Sequence, residues 1–213
     1  MEPVINVEHV DKSYGSERVL RDVCMECARG TITGIVGRNG SGKTVLLKCI
    51  LGLTKVNAGR ITVNGKCVGH DIDFPRRMGF IVNEPGFLPN YSGYANLKFL
   101  SSIGKHLTKA DINEVLSKVG LGAASKKHVG KYSLGMKQRL GIAQAIMEDP
   151  DILLLDEPMN GLDNTGVRDM RQLFKELRAR GKTIILASHN PLDIEELCDN
   201  VCEMDVGKLR QIR

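Results

Sequence analysis

Gly37-Arg38-Asn39-Gly40-Ser41-Gly42-Lys43-Thr44 decides how the rest of the chain is read. The pattern is G-x-x-x-x-G-K-[ST], that of a phosphate-binding loop. Each residue type has a physical task. The glycines let successive backbone N–H groups turn inward with no Cβ in the way. Those N–H groups form a concave anion nest, and a following helix adds its positive N-terminal end. Lys43 can reach outer phosphates, and the Thr44 hydroxyl can ligate Mg²⁺. The flanks agree with this reading. Thr31-Ile32-Thr33-Gly34-Ile35-Val36 is β-branched and alternating, a strand entering the loop. Val45-Leu46-Leu47-Lys48-Cys49-Ile50-Leu51 carries apolar residues at helical spacing. The stretch therefore predicts nucleotide binding.

Upstream, Val4 to Val10 alternates apolar and polar residues as an edge-type strand. Lys12-Ser13-Tyr14-Gly15 reads as a turn carrying an aromatic, and Val19 to Ala28 as a second strand. Downstream, Ala58 to Lys66 reads as a strand ending in Asn64-Gly65, a hairpin signal. Met78 to Val82 is a short buried strand. Past Asn83 the character changes. Pro85, Gly86, Pro89 and Gly93 punctuate a loop. Helices are then predicted over Tyr94–Ile103, Lys109–Val119 and Gly135–Met147, with Thr108-x-x-Asp111 as an N-terminal cap. Asp149-Pro150 ends the last of these. Ile152-Leu153-Leu154-Leu155 and Thr183 to Ala187 are apolar runs typical of strands covered on both faces. Between them Val167, Met170, Leu173, Phe174 and Leu177 share one helical face. Asn190-Pro191 caps a further helix. Strand–helix alternation after residue 150 predicts a parallel sheet with crossover helices. Val201–Asp205 and Lys208–Ile212 close the chain as a hairpin turned at Gly207.

The expected architecture is one α/β domain over residues 1–213. Residues 1–82 and 150–213 form a nucleotide-binding core with an N-terminal antiparallel β part. Residues 84–149 form a helical insert. The hydrophobic fraction is 42%, and no apolar run approaches the ~18 residues of a membrane span. The N-terminus lacks a charged-then-apolar signal, so a cytosolic chain is expected. Net charge is +5 with scattered basic residues, and only 4% of residues are aromatic; this argues against a nucleic-acid partner. Six cysteines are present. Cys24-x-x-Cys27 lies in a predicted strand, where its odd spacing sends the two thiols to opposite faces. Reduced thiols are expected throughout.

Three further stretches carry chemistry. Asp156-Glu157 follow a buried strand directly. Asp156 is placed to hold Mg²⁺, and Glu157 to polarise an attacking water. His189 ends another buried strand, where a neutral imidazole can hydrogen-bond a γ-phosphate or the water. His9, His70, His106 and His128 read as surface. Tyr132-Ser133-Leu134-Gly135-Met136-Lys137-Gln138-Arg139 opens a helix. Ser133 and that helix N-terminus offer a second anion site, useful if it completes a nucleotide site on another subunit.

In this order the stretches resemble the ATP-binding subunits of ABC transporters over nearly the whole chain. Gly37 to Thr44 is similar to Walker A. Ile152 to Glu157 is similar to Walker B with its catalytic glutamate. Asn160-Gly161-Leu162-Asp163 is similar to the D-loop, His189 to the switch histidine, and Tyr14 to the aromatic that stacks on adenine. Tyr132 to Met136 matches the signature motif, with Leu134 and Met136 replacing its usual first glycine and its glutamine. Tyr-Ser-Leu-Gly-Met-Lys-Gln-Arg resembles the bacitracin-type drug and lantibiotic export branch. The resemblance implies a P-loop NTPase core with a RecA-like, mostly parallel sheet. It implies ATP held by Tyr14, Gly37, Asn39, Gly40, Ser41, Gly42, Lys43 and Thr44. Mg²⁺ would be held by Thr44, Asp156 and Asn83, the last standing where the family has a glutamine one methylene longer. Glu157 and His189 would be catalytic. Ser133 and Gly135 would act on the partner's ATP in a head-to-tail homodimer. A membrane-spanning subunit is the second implied partner, gripped by the loop from Asn83 to Tyr91 through Phe87 and Leu88. The implied location is the inner face of the cell membrane. Relatives of that branch often continue into a further C-terminal region, so a short member or a truncated chain is expected here. A non-transport ATPase of translation, DNA repair or cofactor assembly is the alternative. A non-hydrolysing regulator is disfavoured by Glu157 and His189.

Overall fold

The computed structural model describes residues 3–82 and 86–213. The chain opens with a long antiparallel pair, β1 (Ile5–Tyr14) and β2 (Glu17–Cys27). The segment Lys12–Tyr14, expected as a turn, is the end of β1: Lys12 pairs with Leu20 and Tyr14 with Glu17. The turn is confined to Gly15 and Ser16. Hairpin hydrogen bonding extends the strand where side-chain alternation has already faded.

β3 (Ile32–Val36) leads into the phosphate loop, and α1 (Lys43–Ile50) leaves it. β4 (Ala58–Val63) and β5 (Lys66–Cys67) flank the Asn64-Gly65 turn, and β6 (Met78–Ile81) follows. Three helices then run in succession: α2 (Gly93–Ile103), α3 (Lys109–Lys118) and α4 (Leu134–Ile146). Thr108 and Asp111 form a reciprocal capping box at α3. The remainder alternates β7 (Ile152–Asp156), α5 (Asn164–Ala179), β8 (Thr183–Ser188) and α6 (Pro191–Leu197), then closes with the hairpin β9 (Asn200–Asp205) and β10 (Lys208–Gln211).

Two sheets result. One is antiparallel in the order β2-β1-β4-β5; the other runs β10-β9-β3-β8-β7-β6 and is parallel except for β10. Period-two geometry divides the second sheet between two cores. Leu153, Leu155, Ile184 and Leu186 face the core built with α3, α4, α5 and α6. Ile152, Leu154, Ile185 and Ala187 face the core shared with α1 and the antiparallel sheet. An apolar run without alternation is what a strand covered on both faces requires. Close approach fixes α4 against β6: a Cβ on Gly79 would lie 1.8 Å from the Ala145 carbonyl oxygen.

In the cysteine-bearing strand Cys24 is exposed and Cys27 buried, and all six thiols are free. Burial pushes Cys27 and Cys198 up to about 12 and Cys49 up to about 11.

Candidate nucleotide site

In an open α/β sheet, ligands bind beyond the C-terminal ends of the parallel strands. Three such ends converge here. β3 delivers the phosphate loop, β7 delivers Asp156 and Glu157, and β8 delivers His189 one residue past its end. A groove of about 580 Å³ lies over them, lined by Asn39, Gly40, Gly42, Lys43 and Thr44 of the loop, with Asp156 and Glu157 opposite. Asn160, Leu134 and Gln138 extend its wall.

The loop's curvature depends on Gly37. A Cβ there would lie 2.2 Å from the Met204 carbonyl oxygen, so a larger residue would drive the loop off β9. Lys43 is nearly buried, and its Nζ donates to the carbonyls of Gly37 (2.6 Å) and Arg38 (3.1 Å). It also stands 4.0 Å from Glu157 Oε1. Thr44 Oγ1 donates to Asp156 Oδ2 at 2.5 Å. Burial raises the Asp156 carboxyl above its ordinary range, Thr44 partly offsets this, and neighbouring Glu157 adds to it.

Glu157 is held from three sides. Its backbone has φ of 49°, a left-handed conformation that costs on the order of 1–2 kcal/mol. Its N–H donates to the Ala187 carbonyl. Its own carbonyl accepts from Gln138 Nε2 at 3.2 Å. The side chain reaches His189, with Oε2 2.8 Å from Nδ1. Oε1 is buried without a hydrogen-bond partner, a carboxylate oxygen with an acceptor site left over. The Gln138 contact has no local sequence signal, because it joins α4 to the end of β7.

The loop bearing His189 is fixed from below. Arg171 on α5 makes a forked contact with Asp193 Oδ1 from Nε (2.9 Å) and Nη2 (2.6 Å), and its Nη1 meets Glu196 at 2.5 Å. Ser188 Oγ donates to Asp193 Oδ2 and accepts from the Asn190 N–H. Asp193 is fully buried. Nothing in the helical periodicity marks this pair.

Ser133 caps α4, accepting from the Met136 N–H at 3.2 Å. Leu134 is exposed and leans over Gly161, while Gly135 packs against the Gly161 carbonyl. Asp163 caps α5 through the Gly166 N–H. Tyr14 is not part of the groove lining, which Val19 supplies on that side. The Tyr14 hydroxyl lies 3.5 Å from Thr54 Oγ1, and Lys12 Nζ sits 4.8 Å from the ring centroid. Asn83 lies outside the described residues. On the loop that follows, Phe87 packs partly into the core whereas Leu88 is exposed. Among the described residues, no helix is long and apolar enough to cross a membrane.

The family described as ABC transporter matches residues 20–160. The bacitracin transport ATP-binding protein BcrA of Bacillus licheniformis is 42% identical over 212 residues, covering 98% of this chain and 69% of that protein. The lantibiotic transport ATP-binding protein SrtF of Streptococcus pyogenes is 35% identical over 207 residues, covering 97% and 89%. A solved structure described as the ATP-binding subunit of an ABC transporter superposes with a TM-score of 0.86 over 98% of this chain and 90% of its own; at 24% identity it bears on the fold alone.

Proposed function

The chain belongs to the ABC transporter family, and from that premise we propose that it is the ATP-hydrolysing subunit of an exporter for peptide antibiotics or similar amphipathic compounds. One observation carries the reading. The end of β7 and the start of α1 bring Thr44 Oγ1, Asp156 Oδ2, Glu157 and Lys43 around one groove, with a Glu157 carboxylate oxygen that accepts no hydrogen bond.

The roles follow from the chemistry of each group. Backbone N–H groups from Gly37 to Thr44 cradle the phosphates, with Asn39, Gly40, Ser41 and Gly42 at the turn. Lys43 exchanges its carbonyl partners for outer phosphate oxygens. The oxygens of Thr44 and Asp156 suit a hard divalent cation, and Asn83 is the third candidate ligand. Mg²⁺ bound there would neutralise charge on the phosphate oxygens. Glu157 orients and deprotonates the attacking water through Oε1, while Oε2 is held by His189. His189 positions Glu157 and faces the γ-phosphate. Tyr14 meets the adenine at the rim. Ser133 and Gly135 present the N-terminus of α4 to ATP bound on a second copy.

The partners are therefore a second nucleotide-binding copy, head to tail, and a membrane-spanning subunit. Exposed Leu88 and Tyr91 on the loop before α2, and a groove lined by Phe80 and Ile103, support docking to that subunit at the inner membrane face. The test is Glu157→Gln. Turnover is expected to fall by about 10²–10⁴-fold, the usual contribution of a general base, with ATP binding retained. Light scattering is expected to report an ATP-dependent dimer. A persistent monomer in saturating ATP, or retained turnover, overturns the proposal.

A further inference from the structure

Away from the nucleotide groove, the β1–β2 pair carries a cluster with no part in the nucleotide chemistry. His9 Nδ1 lies 2.8 Å from Asp22 Oδ1 and 3.7 Å from Cys24 Sγ. The three donor atoms all lie within 4.8 Å of one another, and all three residues are exposed. We propose that His9, Asp22 and Cys24 form a surface binding site for a zinc-class divalent cation.

The pairing register explains why these residues meet. Val7 faces Met25, but Val10 faces Val23, so Glu8 and His9 together oppose Cys24. Without that bulge His9 would stand opposite Val23, on the buried face. Instead His9 takes φ of 49° and joins the face of Asp22 and Cys24, which share it by period-two alternation. Asp22 is itself left-handed, with φ of 54°, and its N–H is tied to Asp11 Oδ1 at 3.0 Å. Two neighbouring strained residues each cost on the order of 1–3 kcal/mol.

The donor set selects the metal class. Imidazole nitrogen, carboxylate oxygen and thiolate sulfur together suit zinc and its neighbours, whereas Mg²⁺ wants oxygen alone. The 3.7 Å nitrogen–sulfur separation suits two ligands on one tetrahedral zinc, and the 2.8 Å His9–Asp22 hydrogen bond would open to about 3.4 Å when both groups bind it. The His9 N–H also donates to Cys24 Sγ at 3.3 Å, an outer contact of the kind that supports a metal-bound thiolate. A plain His9–Asp22 hydrogen bond would need no sulfur. Three protein ligands leave coordination positions open to water. A bound cation would pin β1 to β2, the pair that also carries Tyr14 and Val19.

Cobalt(II) is the probe. The full chain, with reduced thiols and without nucleotide, is titrated with Co²⁺ alone. The expected result is a thiolate-to-cobalt charge-transfer band in the near ultraviolet that saturates at one equivalent. Cys24→Ser should abolish it while leaving ATP turnover unchanged, so misfolding is separately scored. His9→Ala and Asp22→Asn should each weaken Co²⁺ binding by about tenfold or more, as loss of one ligand in three implies. Zinc should displace the cobalt and excess Mg²⁺ should not. No charge-transfer band, a band that survives in Cys24→Ser, or displacement by Mg²⁺ overturns the site.

Discussion

Lys43 illustrates how much one buried side chain is asked to do. Its ammonium satisfies two loop carbonyls and stands near Glu157, so the loop is held in shape by the group proposed to meet the phosphates. Lys43→Ala removes a charge-assisted hydrogen bond worth about 1.5–3 kcal/mol, and ATP affinity should fall about 10–100-fold in an equilibrium titration. Unchanged affinity would remove Lys43 from phosphate binding. Asp156 makes the opposite point about stability. Burial raises its folded-state pKa above the unfolded value. Between the two values the native state binds the proton more tightly, so stability falls as pH rises through that window. The cost is fully present above the raised pKa. Asp156→Asn should therefore raise the melting temperature of the nucleotide-free chain at pH values above that window. The same substitution should cut ATP turnover at least about 100-fold, since it removes a ligand oxygen's charge. Calorimetry that shows the gain shrinking as pH falls through the window would fit the sign; a lower melting temperature above the window would refute it.

At the scale of elements, the loop bearing His189 hangs on a buried ion pair between α5 and α6. Removing one partner of such a pair leaves an uncompensated buried charge and costs about 3–5 kcal/mol. Arg171→Ala strands Asp193 in this way, and the melting temperature should drop by about 10 °C. Asp193 also accepts from the Ser188 hydroxyl, which in turn accepts from the Asn190 N–H, so the residues on either side of His189 depend on it, and turnover should fall further than ATP affinity does. Equal losses would mean that the pair serves stability alone. This pair was hidden in the sequence for a physical reason. The helix pattern marks Arg171 and Asp193 as polar positions, and polar positions read as solvated unless their burial is known. The phosphate loop, the β7 run and the α3 cap were legible because each is set by neighbours within a few residues. The end of β1 was not, because Lys12 to Tyr14 are held by pairing to β2 rather than by a buried face. The same holds for the groove. The strand-end positions of Asp156, Glu157 and His189 follow from topology, whereas the Gln138 tie to the Glu157 carbonyl depends on how α4 docks against the sheet. That docking relies on the bare backbone of Gly79. Gly79→Ala should destabilise by about 1–3 kcal/mol through overpacking, read by chemical denaturation.

For the whole molecule, the decisive question is whether the proposed anion site at the start of α4 serves its own copy or a second one. Ser133 caps α4, and its side chain stands at the end of a helix whose N-terminal field favours phosphate. Asp is as good a cap as Ser, so Ser133→Asp keeps the helix while placing a negative charge against any triphosphate. Lys43→Ala disables the phosphate loop instead. Each variant alone should be nearly inactive. If one site draws its loop from one copy and its helix end from the other, a mixed dimer places both lesions in a single site and leaves the second intact. With random pairing, half the dimers are mixed and each has one working site of two, so the mixture should recover about a quarter of the wild-type rate. If each copy closes its own site, every site in the mixture carries one lesion and nothing is recovered. The mixing experiment separates the two arrangements without a structure of the dimer, because complementation depends only on where the two halves come from.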